Sequence, residues 1–380
     1  MNRIYADFNA TTPVGALAHH WMSKAFEKWG NPSSSHAYGR QAIELIEESR
    51  VSVARAAGVS PLEIVFTSGG SEANTLALMG SFFRKNPSLR LLTTTVEHSS
   101  VRDTAALLAD QGVPVDYLQV SRSGGVDLET FQKQVADFRP TLVSAMTANN
   151  ETGVRFPLKE MFQLCREKGI VLHTDAVQAF GKIPTEEWNF CDLISITAHK
   201  IWGPKGVGAL IVRRGTPLIA THYGGAQEIK RRGGTENVLG ILGFGGAASE
   251  MPTVHELENL RNLRDSFEKY LLENLSGVSL NGADAPRIPN TSSIRFEGIS
   301  SEVLLGALDL ERISVSAGSA CSSGSISPSH VLLAMGLNKQ EAKESLRFSW
   351  GKSTTREDID TVLQAVVKHV SRIRERKRKP

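Results

Sequence analysis

One lysine occupies a position where its amine can take part in chemistry. Lys200 follows an apolar run within residues 195–206 (SITAHKIWGPKG), and Ile201 and Trp202 come next. Burial lowers the pKa of a lysine, and the neutral amine can form a Schiff base with an aldehyde cofactor. Most loop lysines are simply solvated, as we expect for Lys205. The segment therefore indicates either Schiff-base chemistry at Lys200 or an ordinary solvated loop.

A glycine pair lies at another predicted strand end. Residues 67–74 (TSGGSEAN) run from an apolar strand pattern through Gly69 and Gly70 into a helical pattern. Glycines let the backbone approach an anion, and the free N–H groups at a helix start can bind phosphate. The pattern matches neither the Walker A motif nor the dinucleotide fingerprint. It predicts a phosphate site or a tight strand-to-helix turn.

Three more polar residues follow predicted strands. Asp175 lies within residues 173–178 (HTDAVQ). A carboxylate there can pair with a protonated ring nitrogen and make a pyridine ring an electron sink, although aspartate is also a common helix N-cap. Asn150, in residues 149–153 (NNETG), and His98 occupy similar positions. Each of these residues alone is more typical of structure than of catalysis.

Cys321 lies in a segment rich in serine and glycine, residues 316–329 (SAGSACSSGSISPS). This composition predicts a mobile loop. An exposed, movable thiol suits a nucleophile that enters a site and then leaves it, whereas Cys165 has the apolar neighbours of a buried structural cysteine. The alternative for Cys321 is an incidental thiol in a disordered loop.

The elements that must position these residues alternate along the chain. Strand-length apolar runs are separated by amphipathic stretches such as 127–138 and 157–168. This alternation predicts an α/β fold with a mainly parallel sheet, whose ligands bind at the carboxyl ends of the strands. We expect residues 14–250 to form this large domain. Its predicted strands are 63–67, 91–95, 115–118, 141–145, 170–174, 193–197 and 208–212.

The pattern changes near residue 250. Apolar residues spaced three or four apart over 251–275 predict one long amphipathic helix. Residues 1–13 and 251–380 are therefore predicted to form a smaller α+β domain that carries the cysteine loop. Its predicted strands are 292–296, 313–316 and 346–350.

The final helix has a recognisable start. Thr355, with Asp358 three residues later, has the spacing of a helix N-terminal cap. Beyond it, residues 372–380 form a basic run, which we expect to be a solvated and frayed end.

Composition excludes several classes of protein. The chain has 380 residues, 41% hydrophobic and 22% charged, with a formal net charge of +3. No apolar run reaches the roughly 20 residues of a membrane helix, and the small charge does not call for nucleic acid or a membrane as partner. Three cysteines suit neither a disulfide framework nor a metal site. We expect a cytosolic protein without a bound metal.

Taken together, the segments resemble the cysteine desulfurases, in the class V branch of the fold-type I pyridoxal-phosphate enzymes. The likeness runs from residues 5–13 (YADFNATTP) to 345–351 (SLRFSWG), through 30–34 (GNPSS) and 232–237 (RGGTEN). It implies pyridoxal 5'-phosphate as cofactor, a large domain with a mainly parallel seven-stranded sheet, and a smaller α+β C-terminal domain.

The resemblance also implies roles for individual residues. Lys200 would hold the cofactor as a Schiff base, Cys321 would take the sulfur, and His98 would stack on the ring and move protons. Arg347, with Asn31 and Asn150, would bind the substrate carboxylate. The remaining cofactor contacts would be Gly70, Ser71, Thr197 and His199 at the phosphate, joined by Thr235 of a second subunit, Asp175 at the ring nitrogen, and Asn150 and Gln178 at the ring hydroxyl.

The implied reaction converts L-cysteine to L-alanine and passes the sulfur, as a persulfide on Cys321, to an acceptor protein. The serine-rich loop resembles the subgroup associated with iron–sulfur cluster assembly, and the resemblance implies a homodimer. Ser71 stands where threonine is usual and Thr197 where serine is usual, so each hydroxyl is kept. The basic C-terminal run does not resemble a tail that docks a cluster scaffold.

Three alternatives stay open at this point. A selenocysteine lyase or an aminotransferase of the same class would keep the fold, although an aminotransferase needs no thiol. A sulfur-carrier or scaffold-binding protein without turnover would keep Cys321. An unrelated nucleotide-binding protein would rest on Gly69 and Gly70 alone.

Overall fold

A computed structural model describes residues 3–82, 89–318 and 327–378. Within these ranges no helix is both long and apolar enough to cross a membrane. The strands are β1 (Ile4–Tyr5), β2 (Ile64–Thr67), β3 (Leu91–Thr94), β4 (Val115–Leu118), β5 (Leu142–Ser144), β6 (Val171–Asp175), β7 (Leu193–Thr197), β8 (Gly208–Val212), β9 (Val278–Leu280), β10 (Thr291–Phe296), β11 (Ile313–Ser314) and β12 (Ser345–Ser349). The helices are α1 (Ala16–Glu27), α2 (Ala37–Ala57), α3 (Gly70–Phe82), α4 (Ser99–Asp110), α5 (Leu128–Phe138), α6 (Leu158–Glu167), α7 (Val238–Ala248), α8 (Val254–Asn274), α9 (Ser301–Leu310), α10 (His330–Ala334), α11 (Lys339–Lys343) and α12 (Arg356–Arg378).

Seven strands form one large sheet in the order β2-β8-β7-β6-β5-β3-β4. Strand β8 is antiparallel to both of its neighbours, and the other pairs are parallel. Strands β2, β3, β5, β6 and β7 therefore all end at the same edge. The expected mainly parallel seven-stranded sheet is confirmed.

Apolar side chains cover both faces of this sheet. Along β7, Leu193 faces a core made with α3 and α4, whereas Ile194 and Ile196 face the opposite core with α2, α6 and α7. Because successive strand residues point to opposite faces, a strand buried on both sides must be apolar throughout. This double burial makes the strand ends rigid supports for the residues that follow them.

A second, smaller core lies in the C-terminal part of the chain. An antiparallel sheet, β12-β10-β9, packs with α8, α9 and α12 around Phe267, Phe348 and Trp350. The N-terminus joins this part because β1 pairs in parallel with β11. The short helices α10 and α11 instead contribute to the core of the large sheet, through Val331 and Ala342 among others. Ile288, Met335 and Leu337 also belong to the core of the large sheet, so this core draws on residues from both sides of position 250. The domain boundary near residue 250 remains a prediction.

The last helix follows the sequence prediction at its start and departs from it at its end. Asp358 accepts a hydrogen bond from the backbone N–H of Thr355 at 2.9 Å, as the cap predicts. The expectation of a frayed tail is wrong for residues 372–378, since α12 continues to Arg378. Lys377 donates to the carbonyl of Gly298 at 2.7 Å, and Arg374 donates to the carbonyl of Ser276. These bonds anchor the basic end on the small sheet.

Candidate active site

A cavity of about 450 Å³ opens at the carboxyl edge of the large sheet. Most of its walls come from the segments that follow β2, β3, β5, β6 and β7, and the rest comes from both ends of the chain. It is lined by Asn9, Ala10, Gly70, Ser71, Asn74, His98, Ser100, Met146, Ala148, Asn150, Asp175, Val177, Gln178, Thr197, His199, Lys200, Gly318 and Arg347. Nine of the residues predicted from the sequence therefore lie together, Gly70, Ser71, His98, Asn150, Asp175, Gln178, Thr197, His199 and Lys200, and Arg347 joins them.

One end of the cavity offers hydrogen-bond donors to an anion. Gly70 begins the 13-residue helix α3, whose first N–H groups have no helical partner. Ser71 and Thr197 also line the cavity, and the Thr197 hydroxyl donates to the carbonyl of Val207 at 3.1 Å. A Cβ at Gly70 would come within 2.8 Å of Val177, so the backbone is close to its neighbour here. Burial, with the charges of Lys200 and Lys205, lowers the pKa of His199 to about 4, which leaves its imidazole neutral.

The other end presents a buried carboxylate. Asp175, the last residue of β6, accepts hydrogen bonds from the side chain of Asn74 at 2.7 Å and from the backbone N–H of Val177 at 3.0 Å. The second bond stabilises the turn after β6, where no helix begins, so the helix N-cap alternative is not observed. Pairing of Asp175 with a ring nitrogen remains a prediction. Asn74 is buried, and its Oδ1 has no hydrogen-bond partner among the described residues. These contacts fix the orientation of the Asp175 carboxylate, which gives this end of the cavity a negative charge.

Lys200 lies between these two ends. It follows β7 in a single 3₁₀ turn, Ala198–Lys200, and is half-buried. Its Nζ donates to the backbone carbonyls of Asn9 at 2.5 Å and Ala10 at 2.7 Å. The N-terminal segment that contains Asn9 and Ala10 therefore contacts the amine of Lys200. As expected, Lys205 is exposed.

The orientation of His98 is fixed by the start of α4. Its Nδ1 accepts the backbone N–H of Ser100 at 3.2 Å, so a neutral ring carries its proton on Nε2. The preceding residue, Glu97, is fully buried, and burial raises the pKa of its carboxyl to about 8. Glu97 accepts from Thr94 at 2.7 Å and from the N–H of Met146 at 3.0 Å, which ties the ends of β3 and β5 together.

Arg347, on β12, brings the small sheet to the cavity. Its guanidinium donates to the carbonyl of Asn150 at 2.9 Å and forms an ion pair with Asp7 at 2.7 Å. Its Nε is buried and has no partner among the described residues. A buried guanidinium N–H in this position is suited to a carboxylate ligand.

These features fit pyridoxal phosphate. The donors around Gly70 suit its phosphate, Asp175 suits its ring nitrogen, and Lys200 between them is the amine that can bond its aldehyde. The sequence reasoning gave no role to Asn9 or Asn74, and it did not mention Lys182. Their signal in the sequence is weak, because Asn9 and Asn74 bond to residues distant in the chain and the burial of Lys182 depends on the fold.

Three predicted residues are not part of this lining. Thr235 is exposed, and Asn31 is an exposed turn residue whose Oδ1 accepts the N–H of Ser33 at 2.9 Å. Cys321 lies outside the described residues, although Gly318 before it lines the cavity. The roles given to these three residues remain predictions.

Comparison with known proteins places this geometry in a family. The aminotransferase class-V family matches residues 4–362. A protein of Dictyoglomus turgidum named "Cysteine desulfurase IscS" is 41% identical over 377 residues, which cover 98% of this chain and 95% of the relative. A solved structure titled "NIFS-LIKE PROTEIN" has a TM-score of 0.87 at 35% identity and covers 97% of this chain and 99% of its own. Another solved structure, titled "SspA in complex with cysteine", has a TM-score of 0.81 at 32% identity. The match covers 93% of this chain and 100% of the other.

The chain therefore belongs to the aminotransferase class-V family. It is a pyridoxal-phosphate-dependent enzyme, and the resemblance to the cysteine desulfurases noted in the sequence is confirmed.

Proposed function

We propose that this enzyme is a cysteine desulfurase that converts L-cysteine to L-alanine and takes the sulfur on Cys321 as a persulfide. The observation that carries the proposal is one cavity in which Lys200, Asp175 and the buried guanidinium of Arg347 meet. Relatives named as cysteine desulfurases, and a related structure described as a complex with cysteine, support cysteine as the substrate.

The cofactor, when bound, supplies an electron sink for the electron pair released at the substrate Cα. Asp175 strengthens this effect by holding a proton at the ring nitrogen. Arg347, whose side chain lines the cavity, binds the substrate carboxylate and thereby orients the Cα–H bond. Lys200 removes the Cα proton. His98, which carries a proton on Nε2, serves as a second group for proton transfer.

The choice of Cys321 as nucleophile is supported by the state of the other two cysteines. Cys165 and Cys191 are fully buried. Burial raises the pKa of the Cys165 thiol to about 12 and that of Cys191 well above its usual range, so neither forms a thiolate readily. Gly318 lines the cavity, and three residues span up to about 10 Å. Cys321 is therefore the cysteine that we assign to the sulfur.

The sulfur step is balanced without another reactant. The Cys321 thiolate attacks the substrate sulfur, and an S–S bond forms as the Cβ–S bond breaks. The carbon skeleton gains protons and leaves as alanine, so one thiol and cysteine become one persulfide and alanine. We further propose that the persulfide passes to an acceptor protein, such as an iron–sulfur scaffold, in the cytosol.

We also propose a homodimer in which Thr235 completes the partner's phosphate site. The surface connected to this residue supports the idea, because Gln227 accepts from the N–H of neighbouring Gly234 at 3.3 Å and donates to Ser33 at 3.4 Å, in the segment between Trp29 and Tyr38. Trp29 and Tyr38 stack at 5.3 Å between ring centroids, yet both are exposed, as is Ile229 nearby in the chain. Exposed aromatic residues of this kind are typical of protein interfaces.

Cys321→Ser tests the proposal, with Cys165→Ala as the matched control. With a reducing thiol added to release the persulfide sulfur as sulfide, the serine variant should keep the colour of the bound cofactor and lose sulfide and alanine production, because it lacks only the acceptor thiol. The control should keep both. Normal alanine and sulfide production by Cys321→Ser would refute the assignment of Cys321.

A further inference from the structure

Lys182 is a buried lysine to which the proposed reaction gives no role. It is 9% exposed and follows β6 by seven residues. Its Nζ donates to Oε1 of Gln178 and, at 3.1 Å, to Oδ1 of Asn9. Burial, and the nearby charges of Lys200 and Arg347, hold the pKa of Lys182 well below its usual range. A buried amine near the cavity, with two defined acceptors, calls for a physical explanation.

The partners of Lys182 define the orientation of the Gln178 amide. Its Oε1 faces Lys182, and its Nε2 donates to the backbone carbonyl of Asn9 at 3.0 Å. The opposite orientation would place Oε1 against that carbonyl, two acceptors face to face. An amide nitrogen carries two N–H groups, so one remains after the bond to Asn9. Gln178 lines the cavity, and this second N–H is available to a ligand there.

Asn9 connects the same cluster to the catalytic amine. Its backbone carbonyl accepts from both Gln178 and Lys200, and its Oδ1 accepts from both Lys182 and Asn290. Lys182 thus holds the Gln178 amide directly, and it bonds to the side chain of Asn9, the residue whose backbone carbonyl receives Lys200. Removing its donors would leave Oε1 of Gln178 buried without a partner, and an amide in that state tends to rotate.

We infer that Lys182 is a positioning residue that holds the Gln178 amide so that its second N–H faces the ring hydroxyl oxygen of the cofactor. The inference deepens the proposed function, because it rests on the proposed placement of Gln178 beside that oxygen. A hydrogen-bond donor at this oxygen stabilises its negative charge. The proton that the lysine-bound cofactor carries therefore dissociates at a lower pH. Loss of the donor should raise the pH at which that proton dissociates.

The test is a pH titration of the visible absorbance of the purified holoenzyme without substrate. We compare the wild type, Lys182→Met, Gln178→Ala and the double variant. Lys182→Met should raise the midpoint by about half to one pH unit, as for the loss of one hydrogen bond. In the Gln178→Ala background the same substitution should give no further shift. Lys133→Met, a change of the same kind at an exposed lysine on α5 that does not line the cavity, should leave the midpoint in place.

Two results would overturn the inference. An unchanged midpoint in Lys182→Met would show that the lysine is only structural, and an equal shift with and without Gln178 would show that it acts through its own charge. Lys182→Gln, which keeps amide donors, provides a second cycle if the methionine variant does not fold, and its shift should be smaller and again absent with Gln178→Ala. No substrate is present, so the result does not depend on whether cysteine is the substrate.

Discussion

At the scale of single residues, the site depends on side chains that are oriented by hydrogen bonds to the protein and still have a donor for a ligand. The guanidinium of Arg347 has Asp7 and Asn150 as partners, and its buried Nε–H has no partner in the part of the chain that the structure describes. The imidazole of His98 has Ser100 on Nδ1 and its proton on Nε2. Because backbone or buried groups set these orientations, the free donors point in a fixed direction before any ligand binds.

Arg347→Lys tests the carboxylate contact. An ammonium cannot keep the contacts to Asp7 and Asn150 and also offer a planar donor to substrate. We expect kcat/KM for cysteine to fall by roughly 10–100-fold, the value of one charge-assisted hydrogen bond, mostly through KM. The absorbance of the bound cofactor should not change. Arg295→Lys, on neighbouring β10 where Arg295 pairs with Glu341, is the control and should leave KM in place. An unaltered KM in Arg347→Lys would contradict the assignment.

The residue scale is also where sequence reasoning was least complete. Lys200, Asp175 and Arg347 could be predicted because each is a chemically distinctive side chain within a recognisable motif. Asn74 could not, since its partner Asp175 is far away in the chain. Lys182 could not either, because its partner Gln178 is only four residues away but the burial of both and the contact with Asn9 arise from the fold. Only the fold brings these pairs together.

At the scale of elements, the close approach of β8 to the start of α3 shapes the anion end of the cavity. Gly208 pairs with Thr67 in the antiparallel β2–β8 ladder. A Cβ at Gly208 would lie 2.7 Å from the carbonyl of Ile196 and 2.8 Å from the backbone of Gly69. Backbone atoms cannot move aside easily, so a side chain here must displace the glycine turn.

Gly208→Ala should therefore weaken cofactor binding. Overpacking of this kind costs about 1–3 kcal/mol, and we expect both a lower free energy of unfolding and a cofactor affinity reduced about tenfold or more. Gly306→Ala, in α9 with open space around it, is the matched control and should gain about 0.5–1 kcal/mol in stability without a change in affinity. Equal affinities for the Gly208→Ala and wild-type proteins, measured by titration of the apoenzyme, would show that this contact does not shape the site.

Element boundaries followed the sequence closely where burial alone decides them. Strands β7 and β8 have the predicted bounds, because an apolar run bounded by polar residues or glycine marks a doubly buried strand. Strand β4 also has the predicted bounds, although it is an edge strand whose first three residues are only partly buried. The predicted frayed end of α12 was wrong, because its basic residues donate hydrogen bonds to the carbonyls of distant turns. Charge patterning alone carries no information about such tertiary acceptors.

At the scale of the whole molecule, the proposed homodimer predicts complementation between subunits. Lys200→Ala removes a residue of the chain's own cavity, whereas Thr235→Ala would weaken the partner's phosphate site by roughly 10–100-fold in cofactor affinity. Co-expressed chains, each with one substitution and a different tag, form mixed dimers. If Thr235 acts across the interface, such a dimer contains one fully intact site, and about half of the wild-type activity returns. Mixed dimers no more active than the single-variant homodimers would place Thr235 in its own chain's site.

The central claim is that sulfur leaves cysteine and arrives on Cys321. The most direct measurement is mass spectrometry of peptides from the holoenzyme after one turnover with cysteine, with alanine quantified in parallel. We predict one additional sulfur atom on the Cys321 peptide, equal in amount to the alanine formed, and none on the peptides of buried Cys165 and Cys191. Alanine formed in full with no added sulfur at Cys321, or with the sulfur on another cysteine, would contradict the account.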